Sequence, residues 1–408
     1  MGSSEKRATG VSAQRERGFV NSIKGPAMTL HQLDLSEVTK PVAEARGLPN
    51  EFYTSPEIFE LEKQKVFFPN WAAIGFTSDV PTNGYAKPMS FLGQPLLLVR
   101  DHGGEVRVFQ NVCRHRGMIL VEEAGPIRKA IRCPYHSWCY ELDGRLRTTP
   151  HVGGPGTNRH DLVKREELGL LEVRSHIWMG MVFVNLDGKA DPFEVHNAQI
   201  LDRYKEFTAD LHVCGPESHL TIEVQANWKL AIENGAEAYH LPWVHPGLNS
   251  YSRLEDHYNM EFPGKFCGQG STVYNPMLSE DGRQFPDFAG LSEKWDTGSE
   301  YPMYFPNAMI GFHRNQFWGF IVEPVAHDRS IEHVQIFYAG EDVAGEDWRD
   351  MRETNAANWR EIFAEDIFVV EGMQKGRSAS MFDGGKFSPA MDGPTHCFHD
   401  FIARAIQS

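Results

Sequence analysis

The sequence lacks the features that mark nucleic-acid-binding or membrane-spanning proteins. Its 408 residues carry 40 Lys+Arg against 55 Asp+Glu, a net charge of −15, and no basic run offsets this acidity. A phosphate-backbone partner is therefore not expected. No stretch approaches the roughly 20 apolar residues that a membrane-spanning helix requires, and the polar residues 1–18 lack the apolar core of a signal peptide. We expect a cytoplasmic protein without a nucleic-acid or membrane partner.

Cysteine is also sparse. The six cysteines lie at positions 113, 133, 139, 214, 267 and 397, which is not the pattern of a disulfide framework in a chain long enough to bury two cores. The 41% hydrophobic and 12% aromatic content is typical of a globular protein. A cysteine with a special role is therefore more readily explained as a metal ligand.

The N-terminal part of the chain is expected to contribute little to the core. Residues 1–50 show few apolar periodicities and are predicted to form an extended or mobile lead-in. A helix is predicted from Ser55 to Phe67, where apolar residues mark one side, so residues 51–70 are assigned to a helix that packs on the C-terminal domain.

The rest of the chain divides into a β-rich region and a mixed region. Residues 71–175 hold short β-rich runs separated by Gly and Asp-Gly, which indicates a small β domain. Residues 176–408 alternate strands with helices predicted at Trp228–Tyr239 and Glu346–Gln374. This second region is predicted to be an α+β domain with an antiparallel sheet.

Two short Cys/His pairs stand out in the β region. Cys113 and His115 are separated by one residue, and Cys133 and His136 by two. A Rieske cluster takes one Cys and one His from each of two loops, so that one iron has two thiolates and the other two imidazoles. Zinc ligands more often come as separate Cys-Cys and His-His pairs. A structural Cys₂His₂ zinc site and four unrelated core residues remain the alternatives.

A second group of ligand-type residues lies in the mixed region. Glu237 and His240 are three residues apart, so they can share one face of a helix. His245 can join them only if the helix bends or ends, and Pro242 supplies a cause. O₂-binding ferrous sites use two His and one carboxylate. Asp366 falls within the apolar stripe of the later helix, where a charge is costly unless it is paired or binds a cation.

The other acidic residues of this region are weaker candidates on pattern alone. Glu365 lies off the apolar stripe that contains Asp366. Glu233 and Glu237 are also explained as a solvated helix face, and a single histidine as an ordinary hydrogen-bonded residue.

The motifs around both groups resemble those of one enzyme family. The stretches Asn111-Val-Cys113-Arg-His115-Arg-Gly117 and Cys133-Pro-Tyr-His136-Ser-Trp138 resemble the Rieske motif of ring-hydroxylating and demethylating oxygenases. The resemblance extends from about residue 52 to residue 401. It implies an all-β Rieske domain joined to a helix-grip catalytic domain with a central antiparallel sheet.

The resemblance also implies the cofactors and the roles of the residues. A [2Fe-2S] cluster would bind Cys113, His115, Cys133 and His136, and a mononuclear Fe(II) would bind His240, His245 and Asp366. Glu237 and Asn234 would belong to the catalytic set. In this family the cluster of one subunit serves the iron of its neighbour within a trimer, and a carboxylate at the position of Glu237, usually Asp, bridges the two centres through the cluster histidine, here His136.

The Glu at position 237, in a Glu-x-Tyr-His context, is similar to oxygenases of quaternary ammonium compounds such as carnitine, glycine betaine and stachydrine. We therefore expect an oxygenase that uses O₂ and electrons from NAD(P)H, delivered by a flavin- or ferredoxin-type reductase, to hydroxylate or N-demethylate a small molecule. Candidate cation-π partners are Tyr251, Phe312, Phe317, Trp318 and Phe320. An aromatic-ring dioxygenase, an O-demethylase and a Rieske electron carrier remain alternatives.

Overall fold

The computed structural model describes residues 34–207 and 211–408, which fold into helices and antiparallel sheets of the predicted α+β class. The helices are α1 (Glu51–Thr54), α2 (Pro56–Glu62), α3 (Phe193–His196), α4 (Ala198–Arg203), α5 (Trp228–Ala236), α6 (Leu241–Val244), α7 (Pro246–Asn249), α8 (Arg349–Gly376) and α9 (Gly393–Gln407). A π-helix, Lys63–Phe67, continues α2. Short 3-10 helices lie at Thr77–Asp79, Arg165–Glu167, Pro216–Ser218, Leu254–Asp256, Glu293–Trp295, Glu341–Ala344 and Glu346–Trp348.

The strands fall into four sheets. They are β1 (Ala72–Phe76), β2 (Tyr85–Phe91), β3 (Gln94–Arg100), β4 (Val106–Gln110), β5 (Gly125–Pro126), β6 (Ile131–Arg132), β7 (Cys139–Tyr140), β8 (Leu146–Thr148), β9 (Arg174–Trp178), β10 (Met181–Asn185), β11 (Leu211–His212), β12 (His219–Val224), β13 (His257–Phe262), β14 (Phe266–Ser271), β15 (Ser299–Tyr304), β16 (Ala308–Phe312), β17 (Gln316–Ala326) and β18 (Arg329–Ala339). The sheet orders are β1-β10-β9, β4-β3-β2-β5, β6-β7-β8 and, in an eight-stranded sheet with β12 also paired to β18, β11-β18-β17-β16-β15-β14-β13.

The segment before α1 is packed rather than loose. Residues 1–33 of the expected lead-in lie outside the described residues, but Leu35 and Leu48 are fully buried. The backbone N–H of Leu48 donates to Nδ1 of His399 in α9 at 3.0 Å. Buried apolar side chains without a regular spacing and a hydrogen bond to the C-terminal helix therefore hold this irregular segment in place.

The predicted helix over residues 55–67 forms as α2 and the π-helix. Ser55 caps it by accepting from the backbone N–H of Ile58 at 3.2 Å, and Pro56 occupies the first turn. The end of this helix packs against the C-terminal region, because the Phe67 ring contacts Trp228 of α5 with ring centroids 4.7 Å apart.

The small β sheets share an apolar core that encloses both cysteines of the Cys/His pairs. Leu97, Phe109 and Tyr140 pack in it with Cys113 and Cys133. The predicted Asp-Gly turn is confirmed between β7 and β8, where Gly144 has φ +87° and a Cβ would come within 2.7 Å of the Phe109 ring. The turn therefore requires glycine and fixes the second loop against the core.

The eight-stranded sheet is covered differently on its two faces. On one face, Trp318 and Phe320 of β17 meet Trp359 and Phe363 of α8, with closest centroid pairs at 5.2 Å. On the other face, Phe337 of β18 packs against the small sheet that contains β1. Alternate side chains along β17 and β18 face opposite sides of the sheet, and those on one side pack against α8. This is the predicted helix-grip arrangement, and it is confirmed. None of the described helices combines the length and apolar character needed to cross a membrane.

Candidate active site and metal centres

The two Cys/His loops have the same local fold. The Cys113 N–H donates to the carbonyl of Met118 at 2.8 Å, and the Cys113 carbonyl accepts from Gly117 at 3.0 Å. The Cys133 N–H donates to Trp138 at 2.8 Å, and its carbonyl accepts from Ser137 at 3.0 Å. Gly117 and Ser137 both adopt positive φ, +74° and +61°. Each loop is therefore a preformed turn that presents one Cys and one His.

The four donors separate into a buried cysteine pair and a more exposed histidine pair. Cys113 and Cys133 are 2% and 1% exposed, whereas His115 is exposed and His136 half-buried, with ring centroids 4.6 Å apart. Burial raises the pKa of the Cys113 thiol, with an opposing hydrogen bond from Tyr140. The Tyr140 hydroxyl lies 3.2 Å from the Cys113 sulfur. This is the division into thiolate and imidazole ends that a Rieske cluster uses.

The helix that carries the second group ends earlier than predicted. We expected Trp228–Tyr239, with Glu237 and His240 on one helical face, but α5 stops at Ala236 and Glu237 is extended, with φ −125° and ψ 161°. Its carboxylate accepts from the backbone N–H groups of Tyr239 and His240. Such side-chain bonds compete with helix continuation. The carboxylate nevertheless reaches His240, with Oε1 2.8 Å from Nδ1.

Contrary to the prediction, Pro242 does not cause a bend in a helix. It lies in the first turn of α6, Leu241–Val244, where a proline without an N–H is tolerated. His240 and His245 occupy the two capping positions of this short helix, and their ring centroids are 5.1 Å apart. The two histidines thus converge because a separate single-turn helix stands between them.

Asp366 of α8 completes the group. Its Oδ1 lies 2.9 Å from Nε2 of His245 and 3.7 Å from Nε2 of His240. One ligand atom from each of the three residues lies within 4.8 Å of the others. Burial acts to lower the pKa of His245, but the hydrogen bonds and charges of Asp366 and Glu365 outweigh it and leave the pKa above its ordinary value. The site therefore favours positive charge.

Glu365 has a contact that the sequence pattern did not predict. Its Oε2 lies 2.7 Å from Nδ1 of His245, although the residue is off the apolar stripe of α8. The apolar stripe marks the side of α8 that is buried against the sheet. Glu365 lies off that side and contacts His245, at the C-terminal end of α6. Adjacent acidic residues at 365 and 366 were the available signal.

A cavity opens beside these residues. Of the predicted cation-π candidates, Trp318 and Phe320 line it; Phe312 and Phe317 belong to the core under the other sheet face, and Tyr251 packs on Tyr274. Rings that the sequence did not indicate also contribute. The described lining residues are Ala231, Asn234, Gly235, Glu237, Ala238, His240, Leu241, His245, Leu248, His257, Gln269, Tyr301, Met309, Trp318, Phe320, Glu332, Trp359, Ile362, Phe363, Asp366 and Val370.

Both donor sets fit iron groups. Nδ1 of His136 is buried and has no hydrogen-bond partner among the described residues, so its lone pair is available. His240 and His245 use Nδ1 for Glu237 and Glu365 and direct Nε2 toward Asp366. Metal-binding histidines are commonly held by a carboxylate on the second ring nitrogen.

Family comparisons agree with these two sites. Residues 70–164 match the Rieske [2Fe-2S] domain, and residues 211–408 match the catalytic domain of the ring hydroxylating alpha subunit. The chain therefore belongs to the Rieske non-heme iron oxygenases. Its cofactors are a Rieske cluster and a mononuclear iron, and as an oxygenase subunit it requires a small-molecule substrate and a reductase partner.

Individual relatives are similar over half of the chain or more. A carnitine monooxygenase oxygenase subunit from Escherichia coli K12 is 25% identical over 383 residues, 89% of this chain and 95% of the relative. A glycine betaine monooxygenase oxygenase subunit from Pseudomonas aeruginosa PAO1 is 36% identical over 203 residues, 50% of this chain and 45% of the relative.

Two solved structures share the fold. One is a quaternary ammonium Rieske monooxygenase, with a TM-score of 0.74 and 22% identity over 91% of this chain and 98% of the other. Another is naphthalene 1,2-dioxygenase from Rhodococcus sp., with a TM-score of 0.67 and 20% identity over 88% of this chain and 94% of the other. At these identities the structures establish the fold.

Proposed function

We propose that this oxygenase hydroxylates or N-demethylates a small quaternary ammonium or N-methyl compound. The observation that carries the proposal is the charge and chemistry of the cavity. Among its described lining residues are three carboxylates, Glu237, Glu332 and Asp366, and several aromatic rings, but no Lys or Arg. Aromatic faces and negative charge attract a trimethylammonium group, whereas an aromatic acid carries no cationic group for them to bind. The names of the carnitine and glycine betaine relatives support this class.

We assign the metal-binding roles to the residues that the sequence predicted. Cys113, His115, Cys133 and His136 would hold the cluster, and His240, His245 and Asp366 would hold the iron, as the two His and one carboxylate of an O₂-binding ferrous site. The chemistry that these groups supply when bound is electron delivery and O₂ activation. The Rieske domain would span residues 71–175 and the catalytic domain residues 176–408.

The chain's own residues would position the reaction. Glu237 holds the His240 ring through Nδ1, so that Nε2 faces Asp366. Asn234, one turn earlier on α5, lines the cavity and would contact substrate. Hydroxylation of an N-methyl group takes O₂, two electrons and two protons and also yields water. The hydroxymethyl product then loses formaldehyde, which leaves the demethylated amine.

The working unit would be a homotrimer in which Glu237 bridges His240 and His136 of the partner subunit. Two exposed aromatic residues support a contact at these places: Tyr135 beside His136 is 55% exposed, and Trp243 beside His240 is 71% exposed. Exposed aromatic residues next to functional groups commonly mark an interface. The six free cysteines fit a cytoplasmic setting, where an NAD(P)H-dependent reductase of the flavin or ferredoxin type would supply electrons.

NAD(P)H-dependent O₂ uptake tests the proposal. The loaded protein and a matched reductase are assayed with betaines, carnitine and aromatic acids, and formaldehyde and ring diols are measured as products. We expect uptake with a betaine or carnitine that the Asp366→Ala variant lacks. Coupled uptake with an aromatic acid alone, with a dihydrodiol or phenol as product, would overturn the proposed substrate class in favour of ring hydroxylation.

A further inference from the structure

Glu332 is a buried carboxyl that faces the cavity. It lies on β18, is 4% exposed, and lines the cavity together with the iron-site residues. In the sheet it pairs with Val322 of β17, and Val334, two residues further along β18, pairs with Phe320. Paired residues share a sheet face. Glu332 therefore lies on the same face as Trp318 and Phe320, under helix α8.

Within the described part of the chain, the fold itself gives Glu332 no partner. Among the described residues, no hydrogen bond or ion pair of its carboxyl is found, although burying a carboxylate without a partner is costly. Burial, and then the charge of Asp366, raise the pKa of Glu332 to about 8. An incoming cation would remove this penalty by stabilising the ionised form.

The other buried acids among the residues that the structure describes are all paired. Glu62 contacts Lys229 at 2.6 Å, Glu233 contacts His399 at 3.1 Å, and Glu300 contacts Arg203 at 2.7 Å. The remaining cavity carboxylates are also engaged, because Glu237 bonds to His240 and Asp366 to His245. Glu332 is thus the cavity carboxyl left for a ligand.

We propose that Glu332 is the counter-charge for the cationic group of the substrate and makes the cavity select a cation over a neutral molecule of the same shape. A quaternary ammonium group donates no hydrogen bond, so it needs a nearby negative charge and aromatic faces rather than a directional acceptor. Trp318, Phe320 and Phe363 supply such faces on the same side of the sheet. The inference rests on the proposed substrate class.

Matched ligand pairs isolate the charge. Glycine betaine is compared with tert-butylacetate, and choline with tert-butylethanol, in which carbon replaces the charged nitrogen. Binding to the fully loaded enzyme is measured calorimetrically without reductant. We expect the wild type to prefer the member of each pair that carries the ammonium charge at least about tenfold, and Glu332→Gln to lose most of this preference by weakening that member while its carbon isostere binds as before or tighter.

Two variants serve as controls. Glu332→Asp keeps the charge and should retain part of the preference. Glu323→Gln removes a carboxylate on the opposite face of neighbouring β17, where it contacts His333 at 2.8 Å, and should leave the preference unchanged. Each variant must match the wild type in iron and sulfide content before it is compared.

The outcomes separate the inference from the function on which it rests. If Glu332→Gln keeps the wild-type preference, or weakens both members of a pair equally, the role of Glu332 is overturned while the substrate class stands. If the wild type binds neither of the two ammonium compounds but takes up O₂ with an aromatic acid, the substrate class is overturned, and the role of Glu332 with it.

Discussion

The two candidate metal sites are built in opposite ways. The Cys/His donors come from two local turns with the same backbone hydrogen bonds, at residues 113–117 and 133–137. The His/His/Asp donors come from the ends of α6 and from α8, and His245 meets a residue 121 positions later. The first site depends on short-range geometry, whereas the second depends on the folding of the whole C-terminal domain. A substitution that abolishes metal binding at one site should therefore leave the other site intact.

The largest expected effect is the loss of the mononuclear iron. Asp366→Ala removes the carboxylate that faces both histidines, and we expect turnover to fall by roughly a thousandfold or more, as for removal of an essential catalytic group. Cluster absorption should be unchanged, because no cluster donor lies in α8. Metal analysis with visible spectroscopy checks this. Cys133→Ala is the converse variant, and loss of both centres in either variant would contradict their independence.

A remote packing change should weaken only the non-local site. Lys229 and Glu62 form a fully buried ion pair at 2.6 Å that joins α2 to the start of α5. Lys229→Ala leaves the carboxylate buried without its counter-charge, which typically costs about 3–5 kcal/mol. In urea we expect iron release at a lower concentration but little change in the midpoint of cluster absorption. The exposed pair Lys205–Asp202 provides the control, since Lys205→Ala should have almost no effect.

Glu365 should tune the iron site without being required for it. Glu365→Gln removes the negative charge that lies beside Nδ1 of His245. We expect iron affinity to fall by about tenfold, which is the low end of the loss seen when a carboxylate that holds a metal-binding histidine is removed. Competition with a chelator measures this. An affinity equal to that of the wild type would show that the 2.7 Å contact does not support the metal.

The smallest effect is expected at the local site. The Tyr140 hydroxyl accepts from the N–H of Arg114 at 3.0 Å, which leaves its proton for the Cys113 sulfur. Because this bond stabilises the more negative, reduced cluster, Tyr140→Phe should lower the reduction potential. A net hydrogen bond of about 1 kcal/mol corresponds to roughly 40 mV for one electron. Potentiometry checks the shift, and a raised potential would contradict it.

The same contrast explains what the sequence could predict. The Cys/His pairs can be recognised from the sequence because their members are close together in the chain. Asp366 can be recognised because helical periodicity places it on an apolar stripe. The end of α5 was missed because the Glu237 side chain, rather than a helix-breaking residue, stops it. Glu332 was missed because only strand pairing reveals the face on which it lies.

The packing of residues 35–50 was missed for a similar reason. Leu35 and Leu48 have no regular spacing, yet both are buried, because tertiary contacts rather than a repeating element hold this segment. Irregular structure leaves no period in the sequence. Its burial depends on what the distant C-terminal helix offers, such as the His399 ring that accepts from Leu48.

Metal and sulfide content tests the central claim most directly. Protein reconstituted anaerobically should hold about three iron atoms and about two acid-labile sulfides per chain, a [2Fe-2S] cluster and one further iron. In Asp366→Ala the iron should fall to about two with the sulfide unchanged. About one zinc per chain without sulfide, or the full iron content in the variant, would contradict the account.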